Sequence, residues 1–535
     1  MLQREGLMGA LDFRLPPHVT QNATVHKASV SGPRGAIVTQ SRVASEVGLA
    51  VLDAGGTAAD AAVAAAFVLA SAEPWNSGLG GIGFGLVHTP DGNTRVVDFG
   101  PVAPLKLQPG CFPLTGEVSR DIFAWPEVVD ARNVNGPLSF CVPSAVAGYG
   151  LLHRQFGRLA WQEILMPAVS VARRGLAKDW FTTLKIAQSA AILRQYEESA
   201  RLYLPNGTVP IPPEQGAPGF LLQGGLAETI ERIRVGGAED FYRGELAQDV
   251  LADMAKVGAV ISAEDLAACR ARTHAASTVA WPGFGKVHGP GPLTAAPTFA
   301  DVVARMPHEK LGKTPDRAWY VALATALREA YRARLAGLGD KSEEAEASTC
   351  TTHLAVRDAE GMVVALTTTL LGTMGSRLVL PGTGILMNNG AMWFDPRPDL
   401  PNSVGGGKRP LTNMLPVVAV ADDGRIIAAG ASGGRRILSS VYQILSHVID
   451  FDMDLHDAAH QPRIDVSGPD RVMADRRLDR DILAALSALL GDALEVVEHG
   501  PVPLNFACPS LLLHDGAAAH AIADTMTPWS TALAQ

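Results

Sequence analysis

The chain has 535 residues, 54 acidic against 45 basic side chains for a net charge of -9, and 47% hydrophobic residues. This is an ordinary globular composition, and its length allows about three domains. A mild acidic excess without Lys/Arg runs excludes nucleic acid and anionic membrane as main partners, while leaving small metabolites open.

The first 34 residues are irregular and read as an arm wrapped over the body. They lack a basic start, an apolar core and a small-residue cleavage site, so the expected location is cytoplasmic. The longest apolar run, 61–72, falls short of the ~18–20 residues that cross a bilayer. Next come a β-branched strand, AIVTQ, and a helix in SRVASEVGLAVLDAGG. Thr57 is placed to cap an Ala-rich helix over 58–72, whose lack of a polar face predicts burial. Glycine-rich NSGLGGIGFGLVH then runs into an extended segment ending RVVDFG.

Residues 140–275 read as mainly helical scaffold, followed by strand-like STVAWPGFGKVHG and a helix over about 316–336. The most polar stretch, GLGDKSEEAEASTC, spans 337–350. A β-hairpin follows, TTHLAVRD and MVVALTTTL around a DAEG turn, whose alternation predicts one buried face per arm. Strand-like PVVAVADDGRIIAAGASGG precedes a helix with Ile437, Val441, Ile444, Leu445 and Val448 on one face. No internal repeat is present. The five cysteines, Cys111, Cys141, Cys269, Cys350 and Cys508, are odd in number without CxxC spacing. They indicate neither a disulfide framework nor a zinc knuckle, and all but Cys350 read as buried thiols.

Three constellations compete for chemistry. Gly430-Ala431-Ser432-Gly433-Gly434 is a G-x-S-x-G between strand and helix, in which Ser432 attacks and Asp450 or Asp452 orients His499, His514 or His520. It sits awkwardly close to the C-terminus for such an elbow. His456 and His460, four apart on a helix, suit one metal ion but lack an intervening Glu and a third ligand. Their plain reading is a polar helix face. Thr351-Thr352-His353 opens a strand after the polar loop. A threonine freed there by cleavage carries its own base, the α-amine.

The motifs VASEVGLAVLDAGGTAADAAVAAAFVLASAEPWNSGLGGIGFGLV, TTHLAVRDAEGMVVALTTTL, LPGTGILMNN, KRPLTNMLP, ASGGRRI and AHQPRID span most of residues 36–465. In that order they resemble the γ-glutamyltransferase family of N-terminal-nucleophile hydrolases. The resemblance implies an α+β fold, a four-layer αββα sandwich acting as one structural domain. It also implies self-cleavage between Cys350 and Thr351 into fragments 1–350 and 351–535. Thr351 would be the nucleophile, Thr369 its hydrogen-bonding helper, and Gly433 and Gly434 the oxyanion hole. Ser432 and the His456/His460 pair then have no catalytic part. No metal or organic cofactor is implied. The partners implied are a small-molecule amide and the two fragments themselves, with room for a homo-oligomer of processed heterodimers.

The glutamate-gripping residues depart from the family pattern. Gly100 follows Asp98-Phe99 in place of arginine, Leu371 replaces an asparagine, and Gly390 and Trp393 follow Asn388-Asn389 in place of Gln and an acidic residue. Thr412-Asn413 replaces a serine pair. Each lost charge-assisted bond is worth ~1.5–3 kcal/mol when buried, and Leu371 with Trp393 makes an apolar wall where an ammonium group finds no partner. Arg377 and Arg435 are left as candidates for a substrate carboxylate. The expectation is an amide hydrolase, with acyl transfer open to it, whose acyl group is not γ-glutamyl. The alternatives are a true γ-glutamyltransferase or glutathione hydrolase with altered contacts, a serine hydrolase using Ser432, and an unprocessed non-catalytic relative.

Overall fold

The computed structural model describes residues 25–118, 125–338, 349–468 and 470–535. Most of the polar stretch 337–350 therefore lies outside the described residues.

Two seven-stranded antiparallel sheets form the centre. In the first, the order is Thr531–Ala534, Ala36–Thr39, Thr349–Arg357, Val363–Gly372, Ile82–His88, Thr94–Phe99 and Arg272–Ala275. In the second it is Val30–Gly32, Ala519–Ile522, Cys508–His514, Ile426–Ser432, Val417–Ala421, Gly285–Gly289 and Ser277–Trp281. The STVAWPGFGKVHG stretch is thus a hairpin, paired from Ser277 with Gly289 to Trp281 with Gly285.

Side-chain alternation sorts the strands into layers. Leu354, Val356, Val364 and Leu366 face the helices Arg42–Asp53, Ala58–Ala72, Ala145–Phe156 and Trp161–Arg174. Val417, Ala419, Ile427, Ala429 and Ala431 face Ala296–Arg305, Arg317–Leu338 and Arg436–Ile449. Between the sheets the side chains are small: Ala36, Ala355, Ala365, Ala428, Ala519 and Ala521 pack with Val38, Val363, Val418 and Leu512. The result is the expected αββα sandwich, and alanine at the middle layer lets the two sheets approach closely. Gly430 leaves no room for a side chain, since a Cβ there would lie 2.3 Å from the His353 ring.

One expectation needs correction. The hairpin at Thr351 is not buried on one face only, because every residue of Val363–Gly372 is buried. A central strand between a helix layer and a second sheet has no solvent face. Its alternation instead sends Val364 and Leu366 toward the helices, with Thr368 bonded to Tyr149 there, and Val363, Ala365 and Thr367 toward the other sheet.

The Ala-rich helix Ala58–Ala72 begins at Thr57 as expected, with a capping box in which Thr57 and Asp60 bond reciprocally. All its residues but the last are buried. Of the four cysteines expected to be buried, Cys141 and Cys508 are, whereas Cys111 and Cys269 keep partial exposure. Among the described residues no helix is long and apolar enough to cross a membrane.

Candidate active site

The site grows from the inner faces of the two sheets. On the first sheet His353, Thr367 and Thr369 share the face opposite to Leu354 and Leu366, and His353 Nδ1 bonds Thr367 Oγ1 at 2.9 Å. One step further along, Thr351 Oγ1 donates to Thr369 Oγ1 at 3.2 Å. Thr369 Oγ1 also accepts the Leu371 N–H at 2.8 Å. The pairing of the two arms is broken by a register shift between Cys350 and Thr352. A bulge re-aims one residue, and here that residue is Thr351.

On the second sheet Gly430 and Ser432 occupy the inner face, and the strand ends at Ser432. Gly433 and Gly434 follow with φ of 139° and 62°, conformations that favour glycine. Their carbonyls accept from Arg436 and Ile437 as the helix Arg436–Ile449 begins. Among the described residues neither glycine N–H has a hydrogen-bond acceptor. Two such donors at a helix N-terminus suit a developing negative charge.

A buried amide ties the two halves of the site. Gln40 Nε2 donates to Ser432 Oγ at 2.7 Å, and Gln40 Oε1 accepts from Thr352 Oγ1 at 3.3 Å. The neighbour of Thr351 and the neighbour of Gly433 thus share one side chain. Gln40 Oε1 also accepts from Asn76 at 3.1 Å, and Asn76 donates to Glu73 at 2.6 Å. Glu73 Oε2 accepts from Thr352 Oγ1 at 2.9 Å. Burial raises the Glu73 carboxyl from 4.5 to about 8, against bonds from Thr352 and Asn76 that favour the anion.

A carboxyl held protonated in the fold but free to ionise in the unfolded chain costs stability as pH rises from about 4.5 to about 8. Below that window the two states bind the same proton. Glu73→Gln is therefore expected to flatten the fall in melting temperature between pH 5 and 8, measured by thermal unfolding in a buffer series. An equal slope in both proteins would show that Glu73 is already ionised in the fold.

The remaining sequence candidates occupy distinct places. Leu371, at φ 80°, and Trp393 join Ile82, Phe84, Trp125, Met392 and Met414 in one apolar cluster. The indole N–H groups of Trp125 and Trp393 are buried without a hydrogen-bond partner among the described residues. Asn389 is a framework residue: it accepts the Gly372 N–H at 2.8 Å and donates to Val134 O at 3.0 Å. Gly390 packs so tightly that a Cβ would lie 2.7 Å from Cys141 Sγ. Arg377 Nη1 donates to Gly375 O at 2.8 Å. The Arg435 carbonyl accepts from Tyr331 at 2.5 Å. Thr412 O and Asn413 Oδ1 accept from Arg334 at 2.9 and 3.3 Å. The Cys350 side chain lies outside the described residues.

The serine constellation is not assembled. His499 has no hydrogen-bond partner among the described residues. His514 bonds Ala518 O and His520 bonds Asp515. Asp450 is taken by Trp281, His308 and Ser446. Asp452, just past the end of the helix Arg436–Ile449, has Arg425, at 3.8 Å, as its ion-pair partner among the described residues.

Sequence reasoning missed Gln40, Glu73, Asn76 and Arg334. Asn76 and Glu73 lie in EPWNS, a polar break after an apolar helix, which is the one local signal available. Arg334 sits in an unremarkable helix, yet it bonds Thr294 O, Thr298 Oγ1, Thr412 and Asn413. Burial, with the Arg435 charge nearby, lowers it to about 10. Asp98 accepts two bonds from Arg409, at 2.8 and 2.6 Å, and that guanidinium fills the space beside Gly100, 2.5 Å from where a Cβ would stand.

The sequence model of the family described as Gamma-glutamyltranspeptidase matches residues 44–348 and 341–524. The glutathione hydrolase proenzyme of Escherichia coli (strain K12) is 28% identical over 510 residues, covering 86% of this chain and 86% of that protein. The acylase ACY 1 proenzyme of Pseudomonas sp. (strain V22) is 30% identical over 480 residues, covering 83% of this chain and 85% of that protein. Among solved structures, cephalosporin acylase from Bacillus halodurans matches with a TM-score of 0.81 at 22% identity, over 97% of this chain and 99% of that one. That likeness shows a common fold.

Proposed function

Since this chain belongs to the gamma-glutamyltranspeptidase family, enzymes of the N-terminal-nucleophile hydrolase and acyltransferase type, we propose that it is a self-processing amide hydrolase whose nucleophile is Thr351. The observation that carries the reading is the Thr351–Thr369 hydroxyl pair at a strand bulge, with Gln40 joining the next residue, Thr352, to Ser432, which leads into Gly433 and Gly434, whose N–H groups have no acceptor among the described residues. The word proenzyme in the names of both relatives supports a cut before the nucleophile.

Processing needs one hydroxyl. Thr351 Oγ attacks the Cys350 carbonyl carbon, the C–N bond breaks, and the acyl group passes from nitrogen to oxygen as an ester. Water then hydrolyses the ester, leaving a Cys350 carboxylate and a Thr351 with a free α-amine and hydroxyl. In turnover Oγ attacks the substrate carbonyl, and its proton passes to the α-amine. The oxyanion is held by the Gly433 and Gly434 N–H groups, and the leaving amine takes the proton. Water, or an acceptor amine, resolves the acyl-enzyme.

The acyl group is the finer proposal. Leu371, Trp393, Met392, Phe84 and Met414 form an apolar wall beside the strand that carries Thr369. Two indole N–H groups there, without a partner among the described residues, offer neutral donors, suited to an oxo or hydroxyl group and unsuited to an ammonium. The acylase relative supports an acyl group other than γ-glutamyl. A second reading, a γ-glutamyl enzyme with rearranged contacts, is favoured by Arg409, whose guanidinium stands beside the position where an arginine is missing.

The test is an amide panel of oxamate, glutaryl, aryl-acyl and γ-glutamyl-p-nitroanilide substrates on processed protein. Our reading expects the best of the first three to exceed the γ-glutamyl substrate at least ~100-fold in kcat/KM, the equivalent of ~2.7 kcal/mol. Turnover of γ-glutamyl-p-nitroanilide as the best substrate would establish the second reading.

A further inference from the structure

The His456 and His460 pair acquires the third member that the sequence could not supply. His26, in the segment before strand Val30–Gly32, brings its ring onto the helix Leu455–His460. One ring nitrogen from each of the three lies within 4.8 Å of the other two. Ring centroids are 4.2 Å apart for His456 and His460, 5.4 Å for His26 and His460, and 6.4 Å for His26 and His456.

The hydrogen bonds fix the tautomers. His460 Nδ1 faces the His456 carbonyl at 2.7 Å, and His456 Nδ1 faces the Lys27 carbonyl at 3.2 Å. A carbonyl only accepts, so both Nδ1 atoms carry hydrogen and both Nε2 atoms carry lone pairs. A histidine whose other nitrogen donates to a backbone carbonyl is the usual partner of a metal ion. Lys27 N–H reaches His460 Nε2 at 3.3 Å, a long bond that an ion would displace. The Lys27 ammonium is held by Thr527 O and Ser530 O at 2.5 and 2.7 Å. Arg477, whose charge reaches His460, is paired with Asp475 at 2.6 Å.

We propose that His26, His456 and His460 form a binding site for a divalent late transition-metal ion, which ties the N-terminal arm to the helix Leu455–His460. Three imidazoles without thiolate or carboxylate suit zinc, nickel or copper over magnesium or calcium. Tetrahedral zinc with bonds of ~2.0–2.1 Å spaces its ligands about 3.4 Å apart. Binding would therefore draw together nitrogens that lie within 4.8 Å of one another, with the exposed His26 the ring that must turn toward the helix. The site joins residues on either side of the Cys350–Thr351 bond.

The experiment titrates zinc into full-length protein after dialysis against EDTA, by calorimetry at pH 7.5, with thermal melting in parallel. Expected are one zinc per chain with Kd below about 10 μM and a rise of several degrees in melting temperature. His456→Ala and His460→Ala should weaken binding at least ~100-fold, and His26→Ala, which alters an exposed residue outside any helix or strand, at least ~10-fold. Asp457→Asn, on the same helix, should bind zinc as the parent does. Binding weaker than 10 μM, or undiminished in the His456→Ala variant, would overturn the site. Zinc bound one to one with an unchanged melting temperature would overturn the tie between arm and helix.

Discussion

Thr351→Ala is expected to run as one full-length band on a denaturing gel, while the parent gives two whose smaller fragment begins at Thr351. Its amidase activity should fall at least ~10³-fold, because the hydroxyl that attacks in processing also attacks in turnover. Thr351→Ser keeps a hydroxyl and should still cut itself, more slowly. The comparison with Ser432→Ala makes the assignment sharp. Ser432 Oγ accepts the Gln40 amide, so its removal costs about 1 kcal/mol of packing order and leaves the nucleophile in place. If Thr351→Ala matured and worked while Ser432→Ala did neither, the serine reading would replace ours. N-terminal sequencing of the small fragment fixes the bond that is cut.

The second large effect concerns the oxyanion. Gly433 adopts φ of 139°, and a Cβ there would lie 2.8 Å from both Cα and Cβ of Ala507. Alanine at that position cannot be absorbed by a side-chain rotation, because part of the obstruction is backbone. The loop must shift, and the N–H groups of Gly433 and Gly434 shift with it. Loss of one such donor costs ~10²–10³ in kcat, so Gly433→Ala is expected to lower kcat by that factor with KM little changed. Steady-state kinetics on the fraction that has matured is the measurement. Activity within threefold of the parent would remove these glycines from the mechanism.

Local signals were readable where a single stretch of chain decides the outcome. Thr57 and Asp60 stand three apart ahead of an apolar run, and the capping box forms where that spacing places it. The Ile437 to Val448 stripe joins the core beneath the second sheet, but it does not mark a single buried face, because the helix Arg436–Ile449 is buried at every residue from Ile437 to Val448. The hairpin at Thr351 was legible in its register but not in its burial, because alternation reports chemical contrast between faces and not whether the polar face meets water. Threonine and histidine there meet a second sheet. Of the candidate site, Thr351, Thr369, Gly433 and Gly434 were named through a family resemblance. Gln40, Glu73 and Arg334 were not, since a glutamine that joins Ser432 to Thr352 does so across 392 and 312 residues of chain. The same holds for His26, brought against His456 and His460 from the other end of the molecule.

The order of the first sheet carries a consequence for the matured protein. Its strands come alternately from the two sides of residue 350: Thr531–Ala534, then Ala36–Thr39, then the pair Thr349–Arg357 and Val363–Gly372, then Ile82–His88. A cut before Thr351 severs the covalent thread and leaves this weave closed, so neither fragment can depart without stripping ladder bonds from the middle of a sheet. Before the cut, refolding is a problem for one molecule. After it, two strangers must find each other at finite concentration and rebuild an interleaved sheet together. With the proposed cut made, maturation would work as a ratchet: the protein would fold once, as a precursor, and its lifetime would then be set by how slowly it opens and not by how readily it closes again.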